Sequence, residues 1–405
     1  MTVILNNNGN EVKRRKNTVV ADVAKNKTAV DSTESSSNSS SNNNKKEHTN
    51  NNHPHPLQSG IPPWPTILFL VVGLTTSFMN IPTLESLDEL ATIDVLTNRK
   101  FPRYVSLYYF GWIRFIIGYC ALTSTFYQLV ANDGAQINPN YLKQYSKLRN
   151  IGPIPLKGFG TLCPFTSMSW CILGIGFLLR GILCLAVDYV EPRVKTYDDD
   201  DMILLVNKYI VTNLWLLRIT FILWELTGPF AMITSCVTKF AIWPMALKAQ
   251  TANGGSKTHN LAGFTNQLHH NGNSILSFCE VALLGGIPVC WQCLSYAEAF
   301  AGLYMLFTWL TGKYYFGSPT TTGPQYIYFF VDTTLGSKVT TFAIALLCLA
   351  IAILYLVFSY VSTLPILNNS SIGFNDNDKD KSSPSLLVNM LFVLIGSGLV
   401  CRFQD

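Results

Sequence analysis

The chain has 405 residues, of which 48% are apolar and only 13% charged, against about 25% charged in an ordinary soluble domain. The net charge of +5 is scattered, with one dense run at Lys13-Arg14-Arg15-Lys16, so it points to no nucleic-acid partner, and that run reads as a solvated segment. Long, nearly uncharged runs remain, and these exclude a water-soluble protein built around one core.

Residues 1–62 are rich in Asn, Ser, Lys and His. A segment so poor in apolar surface cannot offset its ordering entropy, so a disordered polar tail is expected. It is too long and too weakly apolar for a secretory signal. Eight apolar stretches follow, at about Pro65–Asn80, Tyr104–Val130, Thr166–Asp188, Tyr209–Trp243, His270–Val289, Trp291–Thr311, Val339–Thr363 and Leu386–Val400. Crossing the hydrocarbon of a bilayer takes roughly 20 residues at about 1.5 Å each, so the first and last fall short and suit tilted, interfacial or re-entrant segments. Gly228-Pro229 inside the fourth stretch predicts a kinked helix rather than two spans. Gly286-Ile287-Pro288 joins the fifth and sixth as a helical hairpin.

The expected fold is therefore all-α. It is a polytopic bundle with a six-helix core over residues 104–365, a short apolar segment and loop over 63–103, and a polar loop with a last short segment over 366–405. Abundant Tyr, Phe and Trp suit the membrane–water interface. The basic tail favours a cytosolic N-terminus, and the sequons at Asn368 and Asn369 then fall on the lumenal side. The expected location is an endomembrane or the plasma membrane, and the expected partners are lipids.

Most of the ten cysteines lie in apolar stretches and act there as small hydrophobes. Cys290-Trp-Gln-Cys293 has metal or redox spacing, but no second pair accompanies it, so it is read as the opening of an apolar helix. No metal or cofactor is expected. Ionisable groups inside a bilayer are costly and mark function or interhelical pairing. Here they are Arg114, Arg180, Arg218, Glu225 and Glu280, for which Arg218–Glu225 or Arg180–Glu280 pairing is the bland explanation.

Outside the tail, histidine occurs at His259, His269 and His270. His270 and Asn273 share a helix face at the mouth of the fifth stretch. Thr166 opens the third stretch, which runs in the same direction, so Thr166, His269, His270 and Asn273 share one leaflet. A hydroxyl beside an imidazole there makes a nucleophile–base pair, with Ser167 and Ser169 competing for the hydroxyl role. The bland reading of Thr166 is a helix N-cap.

These residues carry a resemblance. Phe165-Thr166 with Phe177 comes first, then Val237-Thr-Lys-Phe-Ala-Ile-Trp243, then His270-Asn-Gly-Asn273-Ser274 leading to Glu280. Tyr304-Met-Leu-Phe307 and Ile327-Tyr-Phe-Phe-Val-Asp332 complete the series. Over about 104–363 this order resembles the androgen-induced-protein and rolling stone family of multi-pass membrane proteins. The resemblance implies a six-helix core. Some members are membrane threonine hydrolases that cleave fatty acid esters of hydroxy fatty acids with a Thr and a His. Thr166 takes the Thr position, Asn273 stands where the His is expected, and His270 matches a second His one turn earlier.

Asn cannot accept a proton from Thr166 at neutral pH, so His270 would have to be the base, or Asn273 would donate to a carbonyl oxygen while His270 takes the proton. Three functions stay open. A non-catalytic role in adhesion, fusion or scaffolding is favoured by Asn273. A fatty-acyl ester hydrolase would use Thr166 and His270. A transporter would use Glu225 and Glu280.

Overall fold

The computed structural model describes residues 61–101, 104–130, 136–137, 154–194, 201–245, 247, 264–285, 287–316, 325–364, 367 and 386–403. Nearly all of the polar tail expected over 1–62 lies outside these residues, as do His259, Asn368 and Asn369.

The described residues are almost entirely helical. In chain order they form α1 (Trp64–Met79), α2 (Leu84–Leu90), α3 (Ile93–Leu96), α4 (Leu107–Val130), α5 (Phe165–Val194) and α6 (Asp201–Val206). Next come α7 (Leu214–Val237), a broken helix α8 over 264–284, α9 (Leu294–Tyr314), α10 (Ser337–Ser362) and α11 (Leu386–Val400). A two-residue antiparallel ladder pairs Gln136–Ile137 with Ile154–Pro155.

Five helices are long and apolar enough to cross a membrane, at Leu107–Val130, Phe165–Arg193, Leu214–Met245, Trp291–Tyr314 and Ser337–Ser362. The pair α1 and α2, bent by 66°, would make a sixth. A helix suits such sequences because every mid-helix backbone group is bonded within the segment. The outer faces stay apolar: Phe342, Leu346, Leu349 and Ile353 of α10 are all more than half exposed.

Two sequence boundaries shift. The fourth stretch was read as starting near Tyr209, but a π turn over Asn207–Val211 ends α6 first. Asn213 then starts α7, its side-chain oxygen accepting from the Leu216 amide at 3.2 Å. From there α7 runs through Pro229 without a break, as a single helix. The fifth stretch is not one regular helix. Leu268–Gly272 and Glu280–Leu284 are π turns that interrupt α8, which ends at Gly285 with φ 122°. That left-handed conformation suits glycine alone. A Cβ there would also lie 2.4 Å from the Arg99 Cα.

Helices α4 and α5 pack closest. A Cβ on Gly118 would come within 2.5 Å of the Leu178 amide nitrogen, and one on Gly181 within 2.6 Å of the Phe115 nitrogen. Small residues let two backbones approach this way where lipid supplies no hydrophobic drive between helices.

Successive helices alternate in direction. The starts of α1 and α10 meet through the Thr66 and Thr341 hydroxyls, 2.8 Å apart. The far end of α1 reaches the start of α9, where Ser77 donates to Glu298 at 3.4 Å. The chain past α11 returns to the start of α8, where Asn271 donates to the Arg402 carbonyl at 2.8 Å. The bundle thus has a cavity end, where α5, α8 and α10 begin, and a hairpin end, where α8 passes into α9. Leu87, Ala91 and Leu96 of the α2–α3 region join the main apolar cluster with Phe221, Trp224 and Phe278. The segment after α1 is therefore packed into the bundle, covering its hairpin end.

Candidate functional site

At the hairpin end the buried charges are paired. Glu280 receives Arg114 at 2.8 Å and Arg180 at 2.7 Å, and all three are essentially unexposed. Further guanidinium donors go to the carbonyls of Asn98 (2.9 Å) and Leu96 (3.3 Å) and to the Cys184 sulfur (3.0 Å), while Arg180 Nη2 has no partner among the described residues. Arg180 also lies over the Trp224 ring at 5.2 Å. The Arg180–Glu280 pairing is present, joined by Arg114 from α4. Arg218–Glu225 pairing does not form. Arg218 instead holds Asp88 of α2 in a fork at 2.6 and 2.7 Å, because α2 folds back across the foot of α7.

Glu225 has a different task. Both its oxygens accept from the Cys290 amide at 3.1 Å, and the Tyr355 hydroxyl donates to it at 2.6 Å. The extended hairpin turn over 287–290 would otherwise bury bare peptide groups, which is costly. Trp224 donates to the Ile287 carbonyl (2.8 Å), Ser359 to the Val289 carbonyl (2.6 Å), and the Val289 amide to Ser362 (2.9 Å). Side chains from α7 and α10 thus satisfy the turn.

At the cavity end the polar groups are hydroxyls. A cavity of about 50 Å³ lies between α5, α7, α9 and α10, walled largely by Ile233, Val237, Met305, Leu347 and Ile351. Thr166, Thr234, Thr238, Tyr304 and Tyr328, which carry hydroxyls, also line it. Thr166 is the second residue of α5, not its N-cap. The cap comes from a distant segment: the Tyr328 hydroxyl accepts from the Phe165 amide at 3.1 Å and also bonds with the Thr166 hydroxyl. Tyr304 donates to the Cys163 carbonyl at 2.8 Å. Enclosure of the Tyr328 hydroxyl pushes its phenol up to about 12, so it stays a donor at neutral pH. The Thr234 hydroxyl is buried and has no partner among the described residues.

The expected Thr166–His270 contact is not the one made. His270 Nδ1 lies 2.8 Å from the Thr238 hydroxyl, directly behind the cavity wall. Thr238 opens the π turn Thr238–Ile242 that continues α7. Its register against α8 is set by Ser235 and Ser274, whose hydroxyls are 2.7 Å apart, and by the bond from Ser235 to the His270 carbonyl. His269 turns the other way and stacks on Trp170 at 5.6 Å between ring centres. Asn273 is wholly buried and donates to the His269 carbonyl at 2.6 Å. It is not among the residues lining the cavity. Ser167 and Ser169 are buried on α5 and do not line it either.

Sequence reading missed Thr238, Tyr328 and Asp88. Thr238 stood inside a quoted motif, four residues past Thr234 on one helix face, and that repeat was the available signal. Among the described residues no group of three His, Cys, Asp or Glu side chains could hold a metal ion. A hydroxyl–imidazole pair beside a phenol and a helix N-terminus is chemically suited to acyl transfer, since one pair supplies nucleophile and base and the other holds a carbonyl oxygen. In comparison with known proteins, the chain matches no family model, no curated protein and no solved structure.

Proposed function

We propose that the chain is an integral membrane protein with a helical membrane core of the androgen-induced and rolling stone type, whose cavity binds and cleaves a fatty-acyl ester. The observation that carries this reading is the 2.8 Å contact between His270, behind the cavity, and the hydroxyl of Thr238, which lines it. In the proposed chemistry the Thr238 oxygen attacks the ester carbonyl as its proton passes to His270 Nδ1. Tyr328 holds the carbonyl oxygen at the start of α5, and the protonated His270 returns its proton to the leaving alkoxide. Water, activated by the same imidazole, then releases the acyl group from Thr238. The ester enters sideways with its chains in the bilayer. The basic tail assigns the cavity end to the cytosolic leaflet of an endomembrane or the plasma membrane.

The resemblance alone would put the nucleophile at Thr166, so the test must separate the two threonines. Purified protein is given a fatty-acyl ester and a fluorophosphonate probe. Turnover and labelling are expected in the wild type and in Thr166→Ser. Both are expected to vanish in Thr238→Val and in His270→Ala. Labelling mapped to Thr166 moves the nucleophile back to α5. No turnover by folded wild-type protein refutes catalysis.

One observation favours a second reading, a non-catalytic role in adhesion, fusion or scaffolding. Asn273, at the place where the resemblance expects a histidine, turns its amide to the His269 carbonyl. Under this reading the cavity holds a lipid without cleaving it, and Thr238→Val leaves any cellular phenotype unchanged.

A further inference from the structure

On sequence, Cys290 and Cys293 read as the opening of a helix. The structure puts them in unusual company. Cys290 ends the extended hairpin turn, and the Cys293 amide donates back to the Cys290 carbonyl at 2.9 Å. Such a tight turn brings two Cα atoms within about 7 Å, close to the range that a disulfide spans. Both thiols are free. They differ in access: Cys293 is fully buried, whereas Cys290 is only partly covered and adjoins the exposed Trp291. The pair stands where the three-residue turn Trp291–Cys293 leads into the 21-residue helix α9. Beneath it sits the Glu225 carboxylate, wholly buried, touching the Cys290 amide and paired with no cation among the described residues. Capping that amide needs only a neutral acceptor such as a glutamine oxygen. An ionisable group buried at this point therefore calls for a further reason.

We propose that Cys290 and Cys293 form a redox-active dithiol pair that exchanges with aliphatic disulfides, with Glu225 as the buried proton acceptor. Cys290 is the attacking thiol, because it alone is reachable. Its proton goes to Glu225 as its sulfur bonds to one sulfur of R–S–S–R, and the other sulfur leaves as a thiolate that takes up a proton. Cys293 then attacks the Cys290 sulfur, and the second R–S⁻ leaves and is protonated in turn. The two cysteines are oxidised to one disulfide, and one incoming disulfide is reduced to two thiols. The hairpin end lies opposite the start of α1, on the lumenal side in the proposed orientation, where disulfides persist. The dithiol chemistry does not depend on the hydrolase reading, since the two sites occupy opposite ends of the bundle.

The test uses the full chain in detergent micelles, titrated with mixtures of reduced and oxidised glutathione, alkylated and mapped by mass spectrometry. Cys290 and Cys293 are expected to lose their thiols together, as one internal disulfide that dithiothreitol reverses. Cys293→Ser is expected to trap one glutathione on Cys290, whereas Cys290→Ser traps none on Cys293. Glu225→Gln, which keeps an acceptor for the Cys290 amide, is expected to slow the exchange at neutral pH on the order of a hundredfold. If Glu225→Gln fails to fold, the Cys293→Ser trap decides alone. Two thiols that stay inert in folded protein at every ratio overturn the proposal, as do two independent glutathione adducts with no internal disulfide.

Discussion

The two ends of this bundle treat buried polarity in opposite ways. At the hairpin end, the buried charged groups are partnered. Glu280 takes both arginines, Glu225 takes an amide and a phenol, and within the Arg114–Glu280–Arg180 group only one guanidinium nitrogen of Arg180 lacks a partner among the described residues. At the cavity end, the polar groups are neutral hydroxyls around an open volume, and the Thr234 hydroxyl is left over. A nearly saturated network holds helices together, whereas spare donors beside a cavity are the raw material of recognition. Polarity inside an apolar bundle is thus no guide to function until its partners are counted.

The sharpest way to break the contrast is to remove the carboxylate shared by the two arginines. Glu280→Ala strands two buried guanidiniums, and losing one partner of a buried pair costs about 3–5 kcal/mol. Thermal denaturation in detergent should show a steep fall in the folded, monodisperse fraction. Replacing Arg114, Arg180 and Glu280 together by methionine should restore most of it, since an apolar substitute for a whole ionic cluster is often neutral. If Glu280→Ala is as stable as the wild type, the network is not structural.

A smaller effect is expected where no charge is involved. Gly118→Ala drives a methyl against the Leu178 backbone, which cannot rotate away, and should cost about 1–3 kcal/mol by the same assay. The cavity end should respond with the opposite sign. Thr234→Val removes a buried hydroxyl that has no partner among the described residues, and should stabilise the ligand-free protein by about 1 kcal/mol while slowing ester turnover several-fold. Loss of stability in Thr234→Val would mean that its hydroxyl already has a structural partner.

A pH dependence is expected outside the spans. Burial pushes Lys100 down from 10.5 to about 8, beside the Leu367 carbonyl that its ammonium contacts. The folded chain then releases this proton before the unfolded chain does. Stability should therefore rise between about pH 8 and 10.5, and Lys100→Met should flatten that rise.

The elements were legible because hydropathy is a local property, and all eight apolar stretches correspond to helices. What stayed hidden depends on distant partners. Asp88 sits in a short polar helix and reads as solvated surface until α2 folds over α7 and meets Arg218. Tyr328 stands in the aromatic stretch Ile327-Tyr-Phe-Phe-Val331 and reads as an interfacial aromatic, yet it caps a helix that begins far upstream. Thr166, His270 and Asn273 lie where α5 and α8 begin, but counting crossings cannot set rotation about a helix axis. That rotation gives His270 to Thr238 and turns Asn273 inward.

The Arg114–Glu280–Arg180 cluster also has a consequence for how the chain is made. A ribosome delivers Arg114 and Arg180 first, on α4 and α5, and more than ninety residues pass before Glu280 emerges. Through that interval two like charges wait side by side without their counter-ion. If the helices enter a membrane as proposed, α4 and α5 would need shelter from the insertion machinery or water until α8 brings the counter-ion.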